Sequence, residues 1–203
     1  MELDSDFDYT IKILVVGDST VGKTNFIRMF IENKFNQNYM TTSGIDLKTS
    51  SIEIKNKKIR VQLWDTAGQE KYKAITKNLF LKVQAALIVY DITNEETFNN
   101  LKTWVRSIKE ECGKQIQMLI IGNKNDLNEE RVVDKNIAME YAKEEKIDYL
   151  ETSSKTGDNI QKAITLLCEK VLENTEFTND FSFTLDASAI SQKNKSKCCQ
   201  NQN

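Results

Sequence analysis

Short apolar runs alternate along this chain with longer stretches whose apolar residues recur every three or four positions. Ile11–Val16, Ala85–Tyr90, Met118–Ile121 and Tyr149–Thr152 have the length and composition of strands. Phe26 to Ile31, Glu95–Cys112, Asp134–Glu145 and Asn159–Asn174 have the period of helices. In the last of these, Ile160, Ala163, Ile164, Leu167 and Val171 share one face, as Phe98, Leu101, Val105 and Ile108 do earlier. Leu47 to Ile54 and Lys58 to Trp64 alternate apolar with polar residues, and only Lys55-Asn56-Lys57 lies between them, which predicts a hairpin. The other strands are continuously apolar, as strands covered on both faces must be. The order therefore predicts an α/β fold. Its sheet has six strands, mostly parallel with one antiparallel, and helices on both faces. Ligands in such sheets sit beyond the carboxyl ends of the strands. No internal repeat interrupts the pattern, which fails only beyond Thr175.

Composition narrows the chemistry. The chain has 203 residues, 39% hydrophobic and 29% charged, enough for one domain with a proper core. A formal net charge of -2 gives no reason to expect nucleic-acid binding. Histidine is absent, which excludes His-based triads and His-ligated metals. Proline is absent too, so turns rely on Gly, Asn, Asp and Ser. Met1 to Asp8 is acidic and lacks the basic-then-apolar pattern of a secretory signal, and Glu2 excludes N-myristoylation. No apolar run is long enough to span a bilayer. Cys112 and Cys168 stand alone in helical stretches and read as free thiols in a reducing compartment.

The chemistry-bearing motifs all follow predicted strands. Gly17-Asp18-Ser19-Thr20-Val21-Gly22-Lys23-Thr24 joins the first strand to the first helix. Its glycines let the backbone curl so that successive N–H groups face one anion, and the helix start adds its positive dipole end. Lys23 then reaches the outer phosphates, and the Thr24 hydroxyl suits Mg²⁺. Trp64-Asp65-Thr66-Ala67-Gly68-Gln69-Glu70 follows the second hairpin strand. Asp65 can hold Mg²⁺ through water, Gly68 can offer its N–H to a terminal phosphate, and Gln69 can orient an attacking water. Asn123-Lys124-Asn125-Asp126 places a carboxylate where it can accept from two adjacent N–H groups. Guanine offers that pair on N1 and N2 and adenine does not, a difference of about 10⁴ in affinity when the site is built for it. Glu151-Thr152-Ser153-Ser154-Lys155 supplies backbone N–H groups for a base carbonyl and a lysine stem for its face.

GDSTVGKT, WDTAGQE, NKND and ETSSK, in this order, resemble the Ras superfamily of small GTPases over about Tyr9 to Asn174. The resemblance implies a P-loop NTPase fold, the small G domain. Within that superfamily the chain resembles the Rab family. This rests on Gly44-Ile45-Asp46 with Lys48, on Lys71-Tyr72 after WDTAGQE, on Val89-Tyr90-Asp91-Ile92-Thr93 and on a C-terminal cysteine pair. By resemblance, Ser19, Thr20, Val21, Gly22, Lys23, Thr24 and Gly68 hold the phosphates of GTP or GDP. Thr24, Thr42 and Asp65 serve Mg²⁺. Phe35 packs on guanine and Tyr39 closes over the phosphates. Asn123, Lys124, Asp126, Ser153, Ser154 and Lys155 surround the base, and Gln69 is the catalytic residue that positions water. The implied partners are an exchange factor, an activating protein, a GDP-dissociation inhibitor and effectors, with the GTPase itself a monomer. Leu47, Trp64 and Leu79 stand at the effector patch.

The departures from the Rab pattern lie near those partner surfaces. Ser43 stands where isoleucine is usual, Leu47 where phenylalanine is, and Leu79 to Val83 replace paired tyrosines with Arg-Gly-Ala. They motivate an alternative to the cycling switch of vesicle traffic, namely a slow or non-cycling GTP-binding scaffold. The expected domain plan is a flexible acidic N-terminus over 1–8, a G domain over 9–174 and a disordered tail over 175–203. In that tail Lys193, Lys195 and Lys197 lead into Cys198 and Cys199. The pair resembles the doubly prenylated Rab ending, which implies lipid anchoring to the cytoplasmic face of an intracellular membrane in exchange with cytosol. Gln200 excludes a C-a-a-X box.

Overall fold

The apolar runs become the strands of one sheet. The computed structural model describes residues 6–36, 45–66, 83–112 and 116–182, the side chains of 175–182 excepted. Its elements are β1 (Tyr9–Val16), α1 (Lys23–Glu32), β2 (Ile45–Ile54), β3 (Lys57–Thr66), β4 (Ala85–Asp91), α2 (Glu95–Asn99), α3 (Leu101–Cys112), β5 (Gln117–Asn123), α4 (Lys135–Glu145), β6 (Asp148–Thr152) and α5 (Ile160–Ser182). A 3-10 helix spans Asn125–Glu130. The sheet order is β2-β3-β1-β4-β5-β6, and only the β2–β3 pairing is antiparallel.

Alternate residues of each strand serve opposite faces. Leu14, Val16, Ala86 and Ile88 join Leu101, Val105 and Ile108 of α3 and Ala138 and Ala142 of α4 in one buried cluster. The intervening Ile13, Val15, Leu87 and Val89 are equally buried, as are Phe26 and Ile27 of α1 and Ala163, Ile164 and Leu167 of α5. Both faces of the sheet are thus covered, as its apolar strands require.

Three local features differ from the expected pattern. Lys57 pairs with Ile54, so the hairpin turn shrinks to Lys55-Asn56. Both residues have positive φ, 51° and 61°, the geometry of a type I′ turn that matches strand twist. The expected helix Glu95–Cys112 is two helices, because Asn100 ends one and starts the other. Its N–H reaches Glu96 O at 3.0 Å, while its own carbonyl accepts from Thr103 and Trp104. Finally, α5 continues to Ser182, past the expected end at Asn174. No glycine or proline follows Gly157 to stop it. By contacts, 1–171 and 172–203 are separate units.

A polar chain crosses the carboxyl end of the sheet. Tyr90, Gly122 and Glu151 are register neighbours on β4, β5 and β6. Tyr90 and Tyr149 share a hydroxyl hydrogen bond of 2.9 Å, and Tyr149 donates to Glu151 Oε1 at 2.8 Å. Arg131 donates to both Glu151 oxygens, at 2.8 and 3.0 Å. Gly122 leaves the room for this, since a Cβ there would meet both tyrosine hydroxyls at 2.8 Å. The chain ties the segment after the 3-10 helix to the start of the Glu151–Lys155 stretch.

Burial pushes the Glu151 carboxyl up, but the hydrogen bonds from Arg131 and Tyr149 and the guanidinium charge outweigh it and hold the group below its ordinary value. The sign follows from linkage. The pair's contribution is complete above the unfolded carboxyl pKa of about 4.3 and is lost as pH falls through the lower folded value. Glu151→Gln is expected to cost about 2 kcal/mol at pH 7, the scale of a hydrogen bond to a charged group, because it removes the carboxylate that Arg131 holds. Denaturant titrations of mutant and parent at pH 7 and pH 3.5 check this; the gap narrows at the lower pH.

Candidate functional site

Two glycines make the turn after β1 possible. Gly17 has φ 141°, and a Cβ on it would sit 2.1 Å from Val89 O. Gly22 has φ 99°, and a Cβ there would meet Asn123 Nδ2 at 2.4 Å. Between them Thr20 takes φ 68°, a left-handed conformation that strains a β-branched residue. Gly22 caps α1 without any side-chain hydrogen bond and the first turn carries no acidic residue, so the helix start keeps its anion-binding character. Lys23 Nζ donates to Gly17 O at 2.8 Å and to Asp18 O at 2.7 Å. Burial pulls its pKa down to about 8, against the opposing pull of Asp65 and Asp18.

The next strand brings a carboxylate beside that helix. Asp65 pairs in register with Val15 at the end of the sheet. Thr24 Oγ1 donates to Asp65 Oδ2 at 2.8 Å. Asp65 is 4% exposed, and its Oδ1 is buried with no hydrogen-bond partner among the described residues. Burial raises its pKa, while the Thr24 hydrogen bond and the Lys23 charge work the other way. A buried oxygen of this kind demands a partner of positive or donor character.

Asn123 stitches three loops together. Its Nδ2 donates to Val21 O at 2.7 Å, and its Oδ1 accepts from Thr152 Oγ1, Ser154 N and Ser154 Oγ at 3.1–3.2 Å. The side chain is 1% exposed. Lys124 has φ 70° and pairs with Asp91 Oδ2 at 2.5 Å. Asp126 Oδ1 accepts from Ser153 Oγ at 2.6 Å, and its Oδ2 lies 3.8 Å from Lys155 Nζ. The same Ser153 hydroxyl accepts from Lys155 N and Thr156 N, which folds the loop around it.

These loops enclose a cavity of about 470 Å³, within the usual range for small-molecule sites. Thr20, Gly22, Phe35, Asn123, Lys124, Asp126, Ser154 and Lys155 line it, all expected from the sequence. Ser19 and Val21 lie in the same turn; Val21 is fully buried and contributes its carbonyl to Asn123. Asn25, Asn36 and Leu127 also line the cavity and were not expected. Asn25 Nδ2 holds Asn36 O at 3.1 Å and so anchors the segment carrying Phe35 to α1. Nothing local in the sequence marks that pairing. Tyr39, Thr42, Gly68, Gln69, Leu79, Cys198 and Cys199 lie outside the described residues. Of the expected effector patch, Leu47 is 41% exposed and sits directly opposite Trp64 across β2 and β3. Ile45, 40% exposed and two residues along the same strand face, extends it.

The chain is similar to known proteins throughout this region. The model of the Ras family matches residues 12–173. Ras-related protein Rab-13 of Rattus norvegicus is 38% identical over 196 residues, covering 95% of this chain and 97% of that protein. Ras-related protein Rab-8B of Homo sapiens is 41% identical, covering 82% and 80%. GTP-binding protein YPTM1 of Zea mays is 40% identical, covering 79% and 77%. These relatives do not favour the non-cycling scaffold. Among the described residues no helix is long and apolar enough to cross a membrane. The chain belongs to the Ras family: it is a Rab-type small GTPase that binds GTP and GDP, hydrolyses GTP, and works with regulators and effectors in vesicle traffic.

Proposed function

We propose that the cavity between the Gly17–Thr24 turn, the Asn123–Asp126 loop and the Ser153–Lys155 loop holds the guanine nucleotide. The observation that carries this is Asp126, which lines the cavity with a carboxylate steadied by Ser153. A fixed acceptor there suits the paired N–H groups of guanine, and adenine would leave it unpaired. Phe35 and Lys155 flank the base, and Ser154 and Lys124 complete the rim. Asn123 acts as the joint that keeps the base loops registered on the phosphate turn.

The phosphates lie over the turn of Ser19 to Thr24, at the open start of α1. Lys23, perched on the Gly17 and Asp18 carbonyls, meets their outer charge. Mg²⁺ fits the neighbouring oxygens: the Thr24 hydroxyl, Asp65 with its unpartnered Oδ1, and Thr42 would hold it, with substrate oxygens completing the shell. Its charge, when bound, offsets that developing on the phosphates. Among the described residues no cluster of His, Cys, Asp or Glu competes as a metal site. Gln69 orients the attacking water without titrating. Gly68 and Thr42 contact the γ-phosphate, so its loss releases the segments 35–45 and 65–76.

An activating protein that supplies an arginine in trans would speed turnover by about 10³ to 10⁵. An exchange factor and a GDP-dissociation inhibitor complete the cycle, and effectors dock on Ile45, Leu47, Trp64 and Leu79. The domain plan is a G domain over 9–174 between an acidic start and a tail whose Cys198 and Cys199 carry prenyl groups. Two lipids give stable anchoring where one is marginal. The anchored form sits on the cytoplasmic face of an intracellular membrane.

Gln69→Leu is expected to slow single-turnover phosphate release by about tenfold or more while GTP affinity holds. Competition between guanosine and xanthosine diphosphates tests Asp126→Asn, which is expected to lose about 10³-fold or more of the guanine preference. Intact-mass spectrometry of protein from its own cells is expected to show two isoprenoids, abolished by Cys198→Ser with Cys199→Ser.

A further inference from the structure

Asp18 follows the first glycine of the phosphate turn, where a carboxylate is a poor neighbour for an incoming anion. Both of its oxygens are occupied. Asn100 Nδ2 donates to Oδ2 at 2.7 Å, and Trp104 Nε1 donates to Oδ1 at 2.8 Å. The Asp18 carbonyl, at the same time, is one of the two perches of Lys23 Nζ. The residue therefore joins the lysine to a pair of donors that lie 82 and 86 positions away in the chain.

The donors are well placed to hold it. Asn100 sits at the break between α2 and α3, with its backbone committed to both helices. Trp104 is one helical turn further on, so the two side chains share a face. The Trp104 ring packs against the buried cluster of the sheet and α3, which fixes its indole nitrogen. Among the described residues, none of the three lines the base cavity. Their contact is with the turn, not with the guanine loops.

We propose that Asn100 and Trp104 are positioning residues for phosphate binding, acting through Asp18. They draw its negative charge off the anion path and fix the start of the Ser19-Thr20 crest. Both effects have one sign. The turn is already shaped when nucleotide arrives, and no carboxylate swings toward the phosphates. The inference deepens the proposed site and rests on Gly17–Thr24 being its phosphate half.

The test uses the full chain loaded with fluorescent GDP, its release timed in excess unlabelled GDP. Trp104→Phe keeps an aromatic ring and removes the donor; Asn100→Ala removes the other. Each is expected to release GDP about tenfold faster, the scale of one hydrogen bond to a charged group. Neither is expected to change the preference for GDP over inosine diphosphate, which the base loops set. In an Asp18→Ala background neither substitution should accelerate release further. Unchanged release in both variants overturns the inference, as does full acceleration persisting without Asp18, which would assign the effect to packing. Should Trp104→Phe fail to fold, Asn100→Ala alone and in the Asp18→Ala background carries the same comparison. A parent chain that does not retain GDP overturns the phosphate site itself, and the inference with it.

Discussion

The amide of Asn123 is the joint on which the rest of this site depends. It binds a carbonyl of the phosphate turn with its nitrogen and two residues of the Glu151–Lys155 loop with its oxygen. No water competes, because the side chain is buried. A buried hydrogen bond is worth about 1 kcal/mol net, but an orphaned buried partner costs about 1–3 kcal/mol. Removing this amide would orphan several partners at once. Gly22 belongs to the same joint, since any side chain there would occupy the space of the Asn123 amide. The Gly17–Thr24 turn and the Glu151–Lys155 loop are thus tied together through one amide.

A second constraint is electrostatic. The Gly17–Thr24 turn carries Asp18 and Lys23, and β3 brings a second carboxylate, Asp65, beside them. The structure separates them by role. Lys23 rests on carbonyl oxygens rather than in water, and burial lowers its pKa. Asp65 stays beside Thr24 with one oxygen unspent. Asp18 turns to Asn100 and Trp104 and presents only its carbonyl to the lysine.

The sheet carries these groups to one edge. β1, β4, β5 and β6 run parallel, so the turn after β1, Asp91, Asn123 and Glu151 all emerge at carboxyl ends. The Tyr90–Tyr149–Glu151–Arg131 chain then ties β4, β6 and the segment after Glu130 together. Opposite demands meet on β2 and β3. There Ile45 and Leu47 leave apolar area toward solvent, while Trp64 opposite Leu47 packs against the core.

Much of this was legible in the residues themselves. Periodicity placed every described strand and most helices, because burial on a sheet or helix face repeats at a fixed interval. The spacing of Gly17, Gly22 and Lys23 marked the turn between β1 and α1, and Asp126, expected beside the base, lines the cavity. The sequence did not announce the break at Asn100, the Asn25–Asn36 latch or the grip on Asp18. Nor did it reveal that the Asn123 side chain bonds to both neighbouring loops. The break at Asn100 is a local choice of backbone hydrogen bonds, whereas the grip on Asp18 and the Asn123 network join residues far apart along the chain, and only the closing of the sheet decides which of them meet.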